Sequence, residues 1–318
     1  MIRERGAGED KRRNSPLSSL SPVSRLSPLS RLSPLSPLSP VSSPSPIPKI
    51  MKQYELTIGW LYPTLMSTYG DRGNVIVLER RCQWRGYNVK VLPLDQNATA
   101  DDIKSVDLIV GGGAQDRQQE IVMRDLQGAK AEAMREKIEN ATPGVFTCGS
   151  PQLLGHYYEP GFGQRIQGLG ILDIVSVHPG ENVRRCIGNL VVEVTATRLA
   201  RDLQEMTGSK PYLIGFENHG GRTKLGKVEA LGRVVYGLGN NGEDGTEGVF
   251  YQNAIATYSH GPLLPKNPFV ADWLIQTALR LKYQQPITLS PIDDTLAIQG
   301  RQAMFNRLQV DLPRPIKA

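Results

Sequence analysis

From Tyr54 to Cys148 short β-prone runs alternate with segments of helical periodicity, and this alternation constrains the fold more than any other feature of the chain. Strands separated by helices cannot pair as hairpins, so the pattern predicts a wound α/β sheet with parallel strands. Tyr54–Trp60, Asn88–Leu94 and Val106–Val110 are the expected strands. Asn74–Arg85 is a helix with Val75, Leu78 and Cys82 on one face, and a long polar helix is expected over Arg117–Asn140. In such sheets chemistry collects in the loops beyond the carboxyl ends of the strands. Two conspicuous stretches fall there: Gly111-Gly112-Gly113 and Cys148-Gly149.

Beyond Gln164 the chain turns strand-rich, with strands expected at Ile187–Thr197, Tyr212–Phe216, Arg233–Gly239 and Ala254–Tyr258. A helix over Pro268–Lys282 closes the domain, which is placed at residues 51–283. Residues 284–318 form a Pro-flanked extension with amphipathic helical spacing over Asp293–Leu308. Residues 1–50 differ in kind. Repeated Ser-Pro-Leu and Ser-Pro-Val units remove N–H donors and block both helix and sheet, which predicts a disordered, polyproline-like leader. Three readings of it stand: a transit-like leader, a Pro-rich docking arm, or a reading frame begun too early. The last is favoured, because Met51-Lys52 immediately precedes the first strand.

The formal charge of +6 is concentrated in that leader. Residues 1–50 hold 8 of the 37 Lys+Arg but 3 of the 31 Asp+Glu, so the remainder is almost neutral. A neutral surface argues against a nucleic-acid partner, since phosphate binding needs clustered cations. No apolar run is long enough to span a membrane. Three cysteines without a CxxC pair point to a reducing compartment, and the cytoplasm is the expected location. Neither Cys nor His residues show metal-ligand spacing, so no metal is expected.

Within Pro143–Gly155 the run Val145-Phe146-Thr147 ends in Cys148, and Gly149 and the helix-compatible Gln152-Leu153-Leu154 follow. A strand, a sharp turn and a helix start with the sulfur at the bend form the layout of a nucleophile elbow, where unpaired helix N–H groups favour a thiolate. The alternative is a small buried apolar residue, which most free cysteines are. A thiolate attacking a carbonyl needs a base and oxyanion donors. His260 is the best-placed histidine, following a strand and preceding Gly261-Pro262. His156 sits too far past Cys148, and His178 before Pro179 is an ordinary loop residue. His219 belongs to a polar loop, Phe216–Thr223, which either grips a carboxylate or is a well-capped turn. The triple glycine lacks the lysine of a phosphate-binding loop, so Gly112 and Gly113 are candidates, with Gly149, for oxyanion contact through their bare backbone.

Four stretches together resemble the class I glutamine amidotransferases of the cobyric-acid-synthase-like (CobB/CobQ) branch. They are Gly111-Gly112-Gly113-Ala114-Gln115-Asp116, Cys148-Gly149 with Gln152-Leu153-Leu154-Gly155, Gly215–Thr223, and Tyr258–Pro268. Within that branch they are most similar to the GatD-type glutaminase subunits of lipid II isoglutaminyl synthases, over about residues 53–282. The resemblance implies a glutaminase in peptidoglycan synthesis with Cys148 as nucleophile, His260 as base, and Arg222 holding the α-carboxylate of L-glutamine, with Asn218 and Gln152 beside it. Tyr69-Gly70-Asp71-Arg72-Gly73-Asn74 also matches that group, which makes Asp71 the candidate third member of the triad. It implies, too, a MurT-like, Mur-ligase-type partner that carries ATP and Mg²⁺, with no cofactor in this chain. Two departures are present: Ser150-Pro151 replaces the usual glycine and aromatic, and Pro262 stands where most class I enzymes have glutamate. Alternatives are an amidotransferase for another acceptor such as a corrinoid, a DJ-1/PfpI-like cysteine enzyme, and a non-catalytic binding module.

Overall fold

The computed structural model describes residues 54–180 and 182–310, so the expectation for the Ser-Pro leader lies outside the described residues. The alternation predicted from sequence is present as β1 (Glu55–Leu61), α1 (Arg72–Trp84), β2 (Asn88–Leu94), α2 (Ala100–Ser105) and β3 (Leu108–Gly111). It continues through α3 (Asp116–Asp125), α4 (Ala129–Glu139), β4 (Gly144–Thr147) and α5 (Gly149–Leu154). The single helix expected over Arg117–Asn140 is therefore two. Gly128, with φ 52° and ψ −126°, takes a conformation outside the helical region and separates them.

The strand-rich half holds β5 (Tyr157–Glu159), β6 (Ile166–Gln167), β7 (Ile174–Val177), β8 (Cys186–Val194), α6 (Thr197–Thr207) and β9 (Tyr212–His219). Next come β10 (Arg222–Leu225), β11 (Gly232–Tyr236), β12 (Thr246–Glu247), β13 (Val249–Tyr251) and β14 (Ala254–Thr257). The chain ends in α7 (Leu263–Lys266), α8 (Pro268–Tyr283) and α9 (Thr295–Leu308). Here too sequence reasoning needs correction, because Glu217-Asn218-His219 belongs to strand β9 and only Gly220-Gly221 turns. A strand fixes which of these side chains share a face; a loop would not.

The main sheet has the order β13-β14-β4-β3-β1-β2, with β13 alone antiparallel to its neighbour. From β1 the chain winds outward to β2 on one side and to β3, β4 and β14 on the other. The winding reverses between β1 and β3, the position where open α/β sheets form a crevice. Strands β3 and β4 are buried along their whole length, as expected of a parallel sheet covered on both faces. Alternate residues face different layers. Leu108, Val110, Val145 and Ile255 pack with α1 and α8, whereas Ile109, Phe146, Ala254 and Ala256 pack with the helices α3 and α4. Two four-stranded sheets, β10-β7-β5-β6 and β12-β11-β8-β9, make up the second half.

The C-terminal extension is tied to the domain through residues 284–310. Arg81, buried in α1, forks to Asp272 at 2.7 Å on both nitrogens and to Asp294 at 2.6 and 2.8 Å. Phe305 of α9 packs with Val191 and Ile214. Among the described residues no helix is long and apolar enough to cross a membrane.

Candidate active site

Cys148 closes β4 with φ 55° and ψ −94°, a backbone region that costs a non-glycine residue about 1–3 kcal/mol. The neighbouring strand holds it there, since its N–H donates to the Thr257 carbonyl at 2.8 Å. The bend aims the side chain away from the sheet and leaves the N–H groups of α5's first turn without intrahelical acceptors. Ser150, one of the two departures from the usual elbow, has a physical role: its hydroxyl donates to the Gly112 carbonyl at 2.7 Å. The elbow is thereby latched to the glycine loop after β3.

His260 follows β14, the strand next to β4, and is fully buried. Its Nδ1 donates to Asp71 Oδ1 at 3.1 Å, so any second proton on the ring goes to Nε2. That Nε2 is buried and makes no hydrogen bond among the described residues. Gly113 abuts both the ring and the elbow: a Cβ there would lie 2.8 Å from His260 Cε1 and 3.3 Å from Cys148 Cβ. Burial opposes charge on the ring, but the facing Cys148 sulfur and the Asp71 carboxylate outweigh it and raise the pKa to about 10. The ring thus accepts a proton readily beside the Cys148 sulfur. Tyr69 covers it, edge-on at 5.0 Å between ring centroids.

Asp71 spends its second oxygen on the glycine loop, accepting from the Gly113 N–H at 2.7 Å. Of the three expected oxyanion donors, Gly113 is therefore engaged elsewhere, and a Cβ on Gly112 would lie 2.3 Å from the Met66 carbonyl. Gly112 and Gly149 remain, and beside Gly149 lies an amide that sequence reasoning passed over: a Cβ on Gly149 would meet Ala114 N at 2.9 Å. Pro262, the second departure, packs against Gly73, where a Cβ would lie 2.3 Å from its Cγ. The stretch around Asp71 thus approaches the histidine loop closely, and Asn74 Oδ1 accepts from the Leu264 N–H at 2.9 Å.

Cys148 opens onto a cavity of about 510 Å³ lined by Tyr69, Ala114, Asp116, Arg185, Asn218 and His219, among others. Gln152 also lines it, held by Gln119 Nε2 at 2.9 Å and by Tyr258 OH at 3.2 Å. Arg222 is not among the lining residues, since its guanidinium donates to the Gly220 and Arg184 carbonyls. Arg185 does line the cavity, donating to Asn218 Oδ1 at 3.2 and 3.3 Å. With Asp116 and Arg117 also on the wall, the cavity presents two cations and an anion to a zwitterionic amino acid. Only chain folding distinguishes Arg185 from Arg184 and Arg222, so no signal in the sequence singles it out. His156 pairs with Asp173 on the surface, and His178 accepts from Gly180 N.

The model of the CobB/CobQ-like glutamine amidotransferase domain matches residues 57–268. The chain is 35% identical over 256 residues to the lipid II isoglutaminyl synthase (glutamine-hydrolyzing) subunit GatD of Staphylococcus aureus (strain N315), covering 80% of this chain and 96% of that protein. It is 38% identical over 245 residues to the same subunit of Streptococcus pneumoniae (strain ATCC BAA-255 / R6), covering 77% and 88% respectively. A probable cobyric acid synthase of Methanothermobacter thermautotrophicus is 27% identical over 169 residues, 51% of this chain and 32% of that one. By its matched domain and its relatives, this chain belongs to the CobB/CobQ-like glutamine amidotransferase family.

Proposed function

We propose that this chain is the glutaminase subunit of a lipid II isoglutaminyl synthase. The observation that carries the catalytic part is the pair at the ends of adjacent parallel strands: Cys148 on a strained elbow, and His260 with its far nitrogen held by Asp71. Cys148 Sγ attacks the side-chain carbonyl carbon of glutamine while its proton passes to His260 Nε2. The oxyanion that forms faces the Gly149 and Ala114 amides. His260 returns the proton to the leaving nitrogen, ammonia departs, and a thioester remains. Water then cleaves the thioester, releasing glutamate and restoring the thiol.

Ammonia production alone makes no amide. Joining it to a carboxylate needs an acyl phosphate, and hence a nucleotide site with Mg²⁺. We assign that step to a MurT-like, Mur-ligase-type partner acting on the glutamate of the lipid II stem peptide, in the cytoplasm. The near-full-length similarity to the two GatD subunits supports this acceptor over a corrinoid. The test is ammonia release from glutamine by wild type and Cys148→Ala, each with and without the co-purified partner. Wild type is expected to hydrolyse glutamine, faster with partner present, and the folded variant not at all. ATP-dependent amidation by this chain alone would refute the subunit assignment.

A further inference from the structure

A second cluster of chemically capable side chains lies beside the cavity and takes no part in the reaction above. Strands β8 and β9 are antiparallel, and their register sets Cys186 directly opposite His219. Glu217 lies two residues before His219 and so points to the same face of the sheet. The Cys186 sulfur, a Glu217 carboxylate oxygen and a His219 ring nitrogen all lie within 4.8 Å of one another, and Nε2 lies 3.9 Å from Glu217 Oε2. All three residues are buried, at 0%, 1% and 2% exposure.

The histidine is the telling member. Its Nδ1 lies 2.8 Å from the Gly221 carbonyl, which can only accept, so the ring proton sits on Nδ1. Nε2 then turns a lone pair inward, unless the ring takes up a second proton and with it a buried charge. This Nε2 makes no hydrogen bond among the described residues. Glu217 Oε2 lies 3.9 Å from it, another electron-pair donor. Two lone pairs and a thiol sulfur therefore converge on one buried point with no hydrogen-bond donor shared between Nε2 and Glu217. An electron-pair acceptor would satisfy all of them.

The surroundings are those of ligands held in place from behind. The Leu238 and Gly239 N–H groups orient the Glu217 carboxylate at 2.7 and 2.8 Å, and Gly221 orients the imidazole. Backing of this kind fixes tautomer and direction in metal-ligating histidines and carboxylates. We propose that Cys186, Glu217 and His219 form a binding site for one Zn²⁺ ion. A thiolate, an imidazole and a carboxylate suit this borderline-soft cation, whereas Mg²⁺ and Ca²⁺ take oxygen ligands. A tetrahedral Zn²⁺ shell sets neighbouring ligand atoms roughly 3.5 Å apart, so these side chains need only a small contraction. The thiolate and carboxylate match the ion's charge, and water completes the fourth position. The ion would clamp the wall that His219 gives to the cavity, where its ring stacks on Tyr258 at 3.7 Å and 15°.

The full chain, stripped with chelator, is titrated with Zn²⁺ by calorimetry, beside Cys186→Ala and Cys148→Ala. One equivalent is expected to bind wild type and Cys148→Ala, and to be lost in Cys186→Ala. Failure of the folded wild type to bind Zn²⁺ stoichiometrically would overturn the site. So would binding that survives Cys186→Ala and disappears in Cys148→Ala. Should Cys186→Ala not fold, zinc-edge X-ray absorption of the Zn²⁺-loaded Cys148→Ala chain decides: one sulfur with nitrogen and oxygen ligands supports the site, and a shell without sulfur overturns it. None of these readouts depends on glutaminase activity, so the site and the proposed function stand or fall separately.

Discussion

Asp71 stands 189 residues before His260, yet its Oδ1 lies 3.1 Å from the ring's Nδ1 while its Oδ2 accepts from the Gly113 N–H. One buried carboxylate thus orients the base and pins the glycine loop beside the elbow. It fills the place for which Pro262, in the position of the usual glutamate, offers no carboxylate.

Asp71→Asn should test this double duty. The amide can offer an N–H toward Nδ1, favouring the tautomer whose Nε2 carries the proton and cannot take another from Cys148. Glutamine turnover is expected to fall about 10²- to 10⁴-fold with little change in KM, as for loss of the orienting group in a nucleophile–histidine unit. Steady-state ammonia release, with circular dichroism to confirm folding, checks it. Turnover within a few-fold of wild type would remove Asp71 from the machinery.

Arg185 and Arg222 separate by position. Arg185 lines the cavity and Arg222 is held by backbone carbonyls beside it. Arg185→Ala is therefore expected to raise KM for glutamine by tenfold or more, roughly the worth of one charged hydrogen bond. Arg222→Ala should act mainly through stability. A KM effect confined to Arg222→Ala would restore Arg222 as the carboxylate holder.

Glu247 predicts a pH dependence of stability. Burial raises its pKa to about 7, against hydrogen bonds from Thr257 and the Tyr258 N–H that favour the charged form. In the unfolded chain it titrates near 4.5. Between these values the native state keeps a proton that the unfolded state has released, so stability falls as pH rises and levels off above about 7. The loss amounts to about 3 kcal/mol over that window. Urea unfolding in chelator-containing buffer should show Glu247→Gln gaining on wild type between pH 4.5 and pH 8. Parallel pH profiles would show that Glu247 does not titrate in this range.

Arg81 predicts how firmly the C-terminal extension is bound. Arg81→Ala leaves the part-buried Asp294 without its guanidinium partner and leaves Asp272 with Arg85 alone, at 2.8 Å. The expected cost is about 3 kcal/mol, seen as a lower urea midpoint, because breaking a buried pair strands the remaining charge. A change under about 0.5 kcal/mol would mean that solvent already screens the fork.

What the sequence determined by itself was local. Strand and helix periodicity marked the parallel sheet, with the fully buried runs of β3 and β4 standing out, and the strand-turn-helix pattern put Cys148 at a bend. His260 at the end of a strand was legible for the same reason, since each of these features lies within a few consecutive residues. The break at Gly128 was not read, because the polar periodicity runs on through both sides of it. Tertiary structure alone decided the rest. The Asp71–His260 contact, the engagement of the Gly113 amide, the pairing of Ala114 with Gly149 and the choice of Arg185 all depend on which loops meet at the crevice between β1 and β3. Cys186 meets His219 only through the register of β8 on β9, which a shift of one residue would abolish. Contacts across long stretches of chain follow from packing and register, and no local pattern of residues encodes them.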